Sequence, residues 1–259
     1  MTKPLILVSN DDGITAPGLR SLVEVAKELG NVIVVAPDRP QSGTGHAITL
    51  NKPLRIKKMD LFPGVEAYQT TGTPVDCVKL ALDQIVTTKP QILLSGINHG
   101  SNASINVIYS GTMSAAVEGA IDGMQSVGFS LADFSRQADF EPAKPFVKKI
   151  IQNLIQNPLP YGTLLNVNIP KTSQIKGIKI ARQAAAKWEE SFIKRTDPSG
   201  NDYFWLTGNF INLDPGEDTD EFALKNHYIS VVPTQFDLTD HKAISVLNQW
   251  KLNQQTHES

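Results

Sequence analysis

The stretch Leu5-Ile6-Leu7-Val8-Ser9-Asn10-Asp11-Asp12-Gly13 constrains this chain more than any other. Its short continuous apolar run reads as a strand buried on both faces, the usual state in a parallel sheet. Leu19, Leu22, Val23, Ala26 and Leu29 follow at helical spacing, and Gly30 is a C-terminal stop. Val32-Ile33-Val34-Val35-Ala36 is a second buried strand. Strand, helix and strand within about 35 residues make a βαβ unit with a right-handed crossover. The expected class is α/β, a parallel-rich sheet flanked by helices.

The pattern continues. Residues 47–58 and 65–70 read as short strands, and Thr73-Pro74-Val75-Asp76 opens a helix with a threonine cap and proline at its first position. Ile92-Leu93-Leu94-Ser95 is a buried strand that runs into an expected loop, Gly96 to Asn102. A helix follows Tyr109-Ser110-Gly111-Thr112, with Met113, Ala116, Val117, Ala120, Ile121 and Met124 on one face. Residues 125–131, 164–169 and 175–181 read as strands, and 145–155 as an amphipathic helix. After Gln183 the chain turns polar, with scattered aromatics. Asp197-Pro198-Ser199-Gly200-Asn201 is a strong turn signal, and Tyr203 to Leu213 alternates as an extended hairpin arm. Asp214 to Asp220 is read as a solvated acidic loop, lacking the ligand spacing of a calcium loop. His227 to Val232 is a return strand, and Asp240 opens a short terminal helix using Ile244, Leu247 and Trp250; the tail from Gln254 is expected to fray. Three segments result: a core (1–182), the arm with its return strand (183–232), and a terminal helix and tail (233–259).

A net charge of −2 over 259 residues gives no reason to expect a nucleic-acid polymer or a membrane surface as partner. No run approaches the roughly 18 apolar residues that span a bilayer, and the N-terminus lacks the pattern of a signal peptide. The single cysteine, Cys77, falls on an apolar helix face and reads as a buried structural thiol. The expected location is the cytoplasm.

The chemistry concentrates at one sheet edge. Ligands of open α/β sheets bind beyond the carboxyl ends of the strands. Adjacent carboxylates at Asp11 and Asp12 repel each other, and a divalent cation between them relieves that cost. Three loops after three parallel strands supply Asn10, Asp11 and Asp12, then Ser42, then Asn98. These oxygen donors favour a hard or borderline ion such as magnesium or manganese. Ser110-Gly111-Thr112 sits at a helix N-terminus, where free N–H groups and the helix dipole suit a phosphate. Each piece also has a plainer use: one Asp as a cap, Ser42 in a turn, Asn98 in a left-handed loop position, Ser110 or Thr112 as a helix cap, His46 and His99 as ordinary loop histidines.

Taken in order, Ser9-Asn10-Asp11-Asp12-Gly13, Ala36-Pro37-Asp38-Arg39 with Ser42-Gly43, Gly72-Thr73-Pro74, Ser95-Gly96-Ile97-Asn98, Tyr109-Ser110-Gly111-Thr112 and Leu165-Asn166-Val167-Asn168-Ile169-Pro170 resemble the SurE family of nucleotidases. The resemblance covers residues 4–182, and the remainder more loosely. It implies a Rossmann-like core with a protruding arm, and a phosphomonoesterase that uses one divalent metal ion per subunit to hydrolyse nucleoside monophosphates. In some members it extends to 3′-nucleotides and polyphosphate. It also implies homodimers or homotetramers that exchange C-terminal elements. By matching positions, Asp11, Asp12, Ser42 and Asn98 bind the metal, and Asp11 and Asp12 carry catalysis. Asn10, Gly43, Asn102, Ser110, Gly111 and Thr112 are the expected phosphate and substrate contacts. Two other classes stay open. A receiver-like magnesium-binding module needs a phospho-acceptor Asp after the central strand, where this chain has Ser95-Gly96-Ile97-Asn98. A non-hydrolytic nucleotide binder would carry a glycine fingerprint or P-loop, and neither is present.

Overall fold

A computed structural model describes residues 3–135, 137–250 and 252. In chain order its elements are β1 (Leu5–Ser9), α1 (Pro17–Leu29), β2 (Asn31–Pro37), β3 (Ile56–Met59), β4 (Glu66–Thr70), α2 (Pro74–Leu80), β5 (Ile92–His99), α3 (Gly111–Ile121), β6 (Gln125–Leu131), α4 (Lys144–Gln156), β7 (Thr163–Ile169), β8 (Gly177–Ile180), β9 (Ala186–Thr196), β10 (Asp202–Asn212), α5 (Asp220–Lys225), β11 (Tyr228–Gln235) and α6 (His241–Leu247). The main sheet runs β3-β4-β2-β1-β5-β6-β7-β11-β8. Its pairs are parallel except β3 with β4 and β7 with β11. β9 and β10 form a separate antiparallel ribbon, the predicted arm, with Asp202 opposite Thr196 and Asn212 opposite Ala186.

β1 shows why the sheet is filled on both faces. Ile6 and Val8 point into the layer of α1 and α4, with Leu19, Leu22, Val147 and Ile151, while Leu7 points into the layer of α2 and α3, with Val78, Met113 and Ala116. Full burial of each such aliphatic side chain stabilises by about 1.5–3 kcal/mol. The small face of α3 lets it lie close to the sheet: a Cβ at Gly119 would stand 2.9 Å from Leu93 Cβ. α2 begins as expected. Thr73 Oγ1 accepts from the Asp76 N–H at 3.1 Å, and Asp76 Oδ2 accepts from the Thr73 N–H at 2.9 Å, a reciprocal cap. Cys77 is buried, and desolvation pushes its thiol up to about 12, so it is inert as a nucleophile near neutrality.

Three expectations are corrected. The strand expected to end at Ser95 continues to His99 after a register shift between Ser95 and Asn98, so Asn98 lies on a strand and not in a loop. Gly96 makes the shift possible: at φ +124° a Cβ would stand 2.3 Å from the Phe129 carbonyl oxygen. Of residues 47–58, only Ile56–Met59 form a strand. The acidic segment from Asp214 to Asp220 is not simply solvated. Asp214 and Asp218 both pair with Arg182, and Asp220 is 0% exposed, accepting the N–H groups of Ser104 at 2.7 Å and Ala184 at 2.9 Å. The terminal helix forms where expected, capped by Asp240, and among the described residues its Ile244 and Leu247, with Trp250 just beyond, are exposed, as are Phe192, Phe204 and Trp205 on the arm. The tail from Gln254 lies outside the described residues. Among the described residues, no helix is long and apolar enough to cross a membrane.

Candidate active site

The parallel pairing of β2, β1, β5 and β6 brings the ends of these strands to one edge. Ser9 pairs with Ser95, so Asn10-Asp11-Asp12 leaves β1 beside the 96–99 extension of β5. The loop after β2 is tied to the same place. The Gln41 N–H donates to the Asp11 carbonyl at 2.7 Å, which puts Ser42, exposed at the rim, one residue from that bond. Gly13 closes the turn after the carboxylates at φ +96°, with Asn10 Nδ2 donating to its carbonyl at 3.0 Å.

The two carboxylates have different surroundings. Asp11 is 4% exposed, and burial pushes its carboxyl up to about 6. The Thr112 hydroxyl donates to Asp11 Oδ1 and partly offsets that rise, while the neighbouring Asp12 charge adds to it. Gly111 admits the close approach: a Cβ there would stand 2.7 Å from Asp11 Cβ. Asp12 is half-buried, and its Oδ2 is held by the His99 N–H at 3.1 Å and lies 3.2 Å from His99 Nδ1. The His99 ring packs edge-on against Phe140 at 5.1 Å, and its buried Nε2 has no hydrogen-bond partner among the described residues.

The remaining expected residues fall in two groups. Asn98, 8% exposed, donates from Nδ2 to the Gly100 carbonyl at 2.9 Å, and its Oδ1 has no donor among the described residues. Ser110 caps α3, its Oγ accepting from the Met113 N–H at 3.0 Å. Gly43 sits at φ +72° beside Ser42, with open space where a side chain would be. Two expected substrate contacts also carry bonds within the protein. The Thr112 hydroxyl donates to Asp11 Oδ1. Asn102 is built into a buried amide ladder: its Nδ2 donates to Ser130 Oγ, its N–H to Asn168 Oδ1, and its carbonyl accepts from Asn166, all within 2.9 Å. That ladder fixes the start of the 101–110 segment.

These residues fit a hard divalent cation. Asp11 is a buried carboxyl whose charged form is held at a cost, which a cation removes. Asn10 Oδ1, also buried beside it in sequence, has no partner among the described residues. Among those residues no three His, Cys, Asp or Glu side chains gather as a metal cluster. The donor set is instead two carboxylates with amide and hydroxyl oxygens, the chemistry of magnesium or manganese rather than zinc. A separate cavity of about 200 Å³ opens at the ends of β6 and β7, but of its two carboxylates Asp133 is paired with Lys171 at 2.8 Å and Asp139 accepts from the Glu141 N–H at 3.0 Å.

Sequence reasoning missed Glu118, which joins His46 to Lys79 behind this edge. The available signal was that Glu118 is the one charged residue in the small and apolar run of α3.

Comparison with known proteins agrees with this architecture. The family described as "Survival protein SurE" matches residues 6–190. The 5'-nucleotidase SurE of Flavobacterium psychrophilum is 60% identical over 256 residues, 98% of this chain and all of that protein. That of Flavobacterium johnsoniae is 61% identical over 254 residues, 97% of this chain and 98% of that one. The crystal structure of the SurE protein from Aquifex aeolicus superposes with a TM-score of 0.81 at 39% identity, covering 95% of this chain and 99% of the other.

Proposed function

This chain belongs to the SurE family, and from that premise we propose that it is a divalent-metal-dependent phosphomonoesterase that releases phosphate from nucleoside monophosphates. The observation that carries the reading is the Asp11–Asp12 pair at the end of β1, set against Asn98, the Ser42 turn and the N-terminus of α3. Its relatives named 5'-nucleotidase SurE place the substrate among nucleotides. A receiver-like module is disfavoured because Ser95-Gly96-Ile97-Asn98 offers no phospho-acceptor carboxylate.

In this mechanism Asp11, Asp12, Ser42 and Asn98 would hold one magnesium or manganese ion per subunit. When bound, that ion would supply charge neutralisation at the phosphoryl group and a more acidic water. Asp12, steadied by His99 on Oδ2, would orient the attacking water with its other oxygen. The water oxygen bonds to phosphorus as the phosphorus–oxygen ester bond breaks, and a proton given up by the water ends on the departing nucleoside oxygen. The Gly111 N–H, the Ser110 hydroxyl and the backbone at Gly43 hold the non-bridging oxygens from the helix end and the turn. Thr112 serves by fixing Asp11, and Asn102 by fixing the loop that leads to Ser110. Extension to 3′-nucleotides and polyphosphate, a cytoplasmic location, and assembly into dimers or tetramers through residues 233–259 belong to the same proposal. The exposed apolar groups of the arm and α6 support the assembly.

The test is phosphate release from a panel of nucleoside monophosphates by protein stripped with chelator and resupplied with magnesium, manganese, cobalt or zinc. Metal-restored turnover is the expected result. Folded protein that is silent across the panel would overturn the assignment.

A further inference from the structure

We infer that Glu118, acting through His46, is a positioning residue that sets the loop bearing Ser42 and Gly43. The inference rests on the proposed metal role of that loop. Glu118 is 3% exposed, two turns along α3 from Ser110. Its two oxygens are taken separately: Oε2 lies 3.0 Å from His46 Nε2, and Oε1 accepts from Lys79 Nζ on α2. Burial raises its carboxyl, but the hydrogen bonds from His46 and Lys79 outweigh that and hold it below the usual carboxylate range. Packing alone does not call for such a group, because a well-packed apolar side chain at a buried ion-pair position is often as stable or more so.

What Glu118 adds is a grip on the loop. Between Gln41 and Thr49 the loop is pinned at its two ends. At one end the Gln41 N–H holds the Asp11 carbonyl at 2.7 Å. At the other, the Ala47 carbonyl accepts from Thr73 Oγ1 at 2.7 Å and the Thr49 N–H donates to Asp76 Oδ1 at 3.1 Å. Apart from His46, the intervening tip has among the described residues a long bond from the Gly45 N–H to the Tyr109 carbonyl, at 3.3 Å, and an internal bond from Thr44 Oγ1 to the Gln41 carbonyl. Gly43 and Gly45 lie at φ +72° and +54°, so the tip relies on residues that restrict the backbone least. His46 is the first residue beyond Ser42 whose side chain reaches the protein body. It therefore fixes where the tip stands relative to Asp11 and Asp12, as groups behind metal ligands do.

The plainer explanation is that Glu118 serves only to join α3 to α2 through Lys79, and the two partners separate the cases. The experiment measures Mn2+ binding directly, from the free-ion electron paramagnetic resonance signal, with KM and kcat for a nucleoside monophosphate alongside. It compares the full chain with His46→Ala, His46→Gln and Lys79→Met. Because the His46 side chain is 39% exposed, its loss should move the melting temperature by only a few degrees. His46→Ala is expected to weaken Mn2+ binding by about 10-fold or more and raise KM. His46→Gln, which keeps a donor for Glu118, should recover most of the affinity. Lys79→Met should lower stability and leave Mn2+ affinity unchanged. Wild-type Mn2+ binding by His46→Ala, or an equal loss in Lys79→Met, overturns the inference. A wild-type chain that binds no Mn2+ overturns the metal reading beneath it.

Discussion

Replacing Gly111 by alanine should separate stability from activity. A Cβ at this position would stand 2.7 Å from Asp11 Cβ and 3.1 Å from Asp11 Oδ2. Carbon atoms pack comfortably at about 3.5 Å, so the Asp11 side chain or the start of α3 must give by about 0.8 Å. Asp11 Cβ is not the free end of a flexible side chain. It is anchored by a backbone bonded to Gln41 and a carboxylate bonded to Thr112, so the displacement passes to the carboxylate. Two opposing effects act on stability. Alanine gains up to about 1 kcal/mol over glycine inside a helix, and overpacking costs about 1–3 kcal/mol. Gly111 is the first residue of α3, where the helical gain is smallest, so the net cost is about 3 kcal/mol at most, less than the stability of an ordinary domain. Activity has no such compensation. A misplacement near 1 Å costs about 100-fold, equivalent to about 2.7 kcal/mol on the barrier. The assays are steady-state phosphate release at saturating Mn2+ and a thermal melt of the same preparation. Unchanged turnover in a folded Gly111→Ala protein would refute the argument that the helix end and Asp11 share one tightly defined position.

Three further outcomes follow from the geometry. Asp12→Asn should lose metal affinity and activity together, with kcat/KM down by at least about 100-fold; near-wild-type hydrolysis after metal removal and readdition would remove Asp12 from the site. In metal-free protein Asp11 is raised from 3.8 to about 6, so its contribution to stability is lost as pH rises between those values and the penalty is complete above them. Metal binding must therefore expel most of a proton at pH 5.5 and little at pH 8, as read by titration calorimetry in buffers of differing ionisation enthalpy; equal release at both pH values would contradict the assignment. Asp220→Ala strands the buried N–H groups of Ser104 and Ala184 and should cost about 2–5 kcal/mol in urea unfolding, whereas a neutral result would mean that water replaces the carboxylate.

Much of the fold was legible because its signals are local. The apolar runs of β1, β2 and β5, the stripe of α1 and the cap at Thr73 lie within single elements, where periodicity and capping chemistry operate. The convergence of Asp11, Asp12, Ser42 and Asn98 on one edge followed from parallel pairing alone. Asn98 was misplaced into a loop because Gly96 marks a break in register, and a glycine after an apolar run reads the same as a strand end. Asp220 was read as solvated because its partner, the Ser104 N–H, is 116 residues away and carries no side-chain signal. Glu118 left one signal, its charge within the small and apolar run of α3, but its partners come from a loop and a helix far earlier in the chain and left none.

The position of β11 has a consequence for how this protein is made. β8 pairs only with β11, which lies between it and β7, yet the arm and α5 separate them in sequence. As the chain leaves the ribosome, β8 emerges with no strand to join, and the flank of β7 stays open until residues 228–235 arrive. A message broken anywhere in the arm therefore yields a product with its carboxylate edge already assembled but with a bare β7 flank, a template for pairing with other chains. Quality control of this protein then depends on the last quarter of translation, well after every residue of its candidate active site has been synthesised.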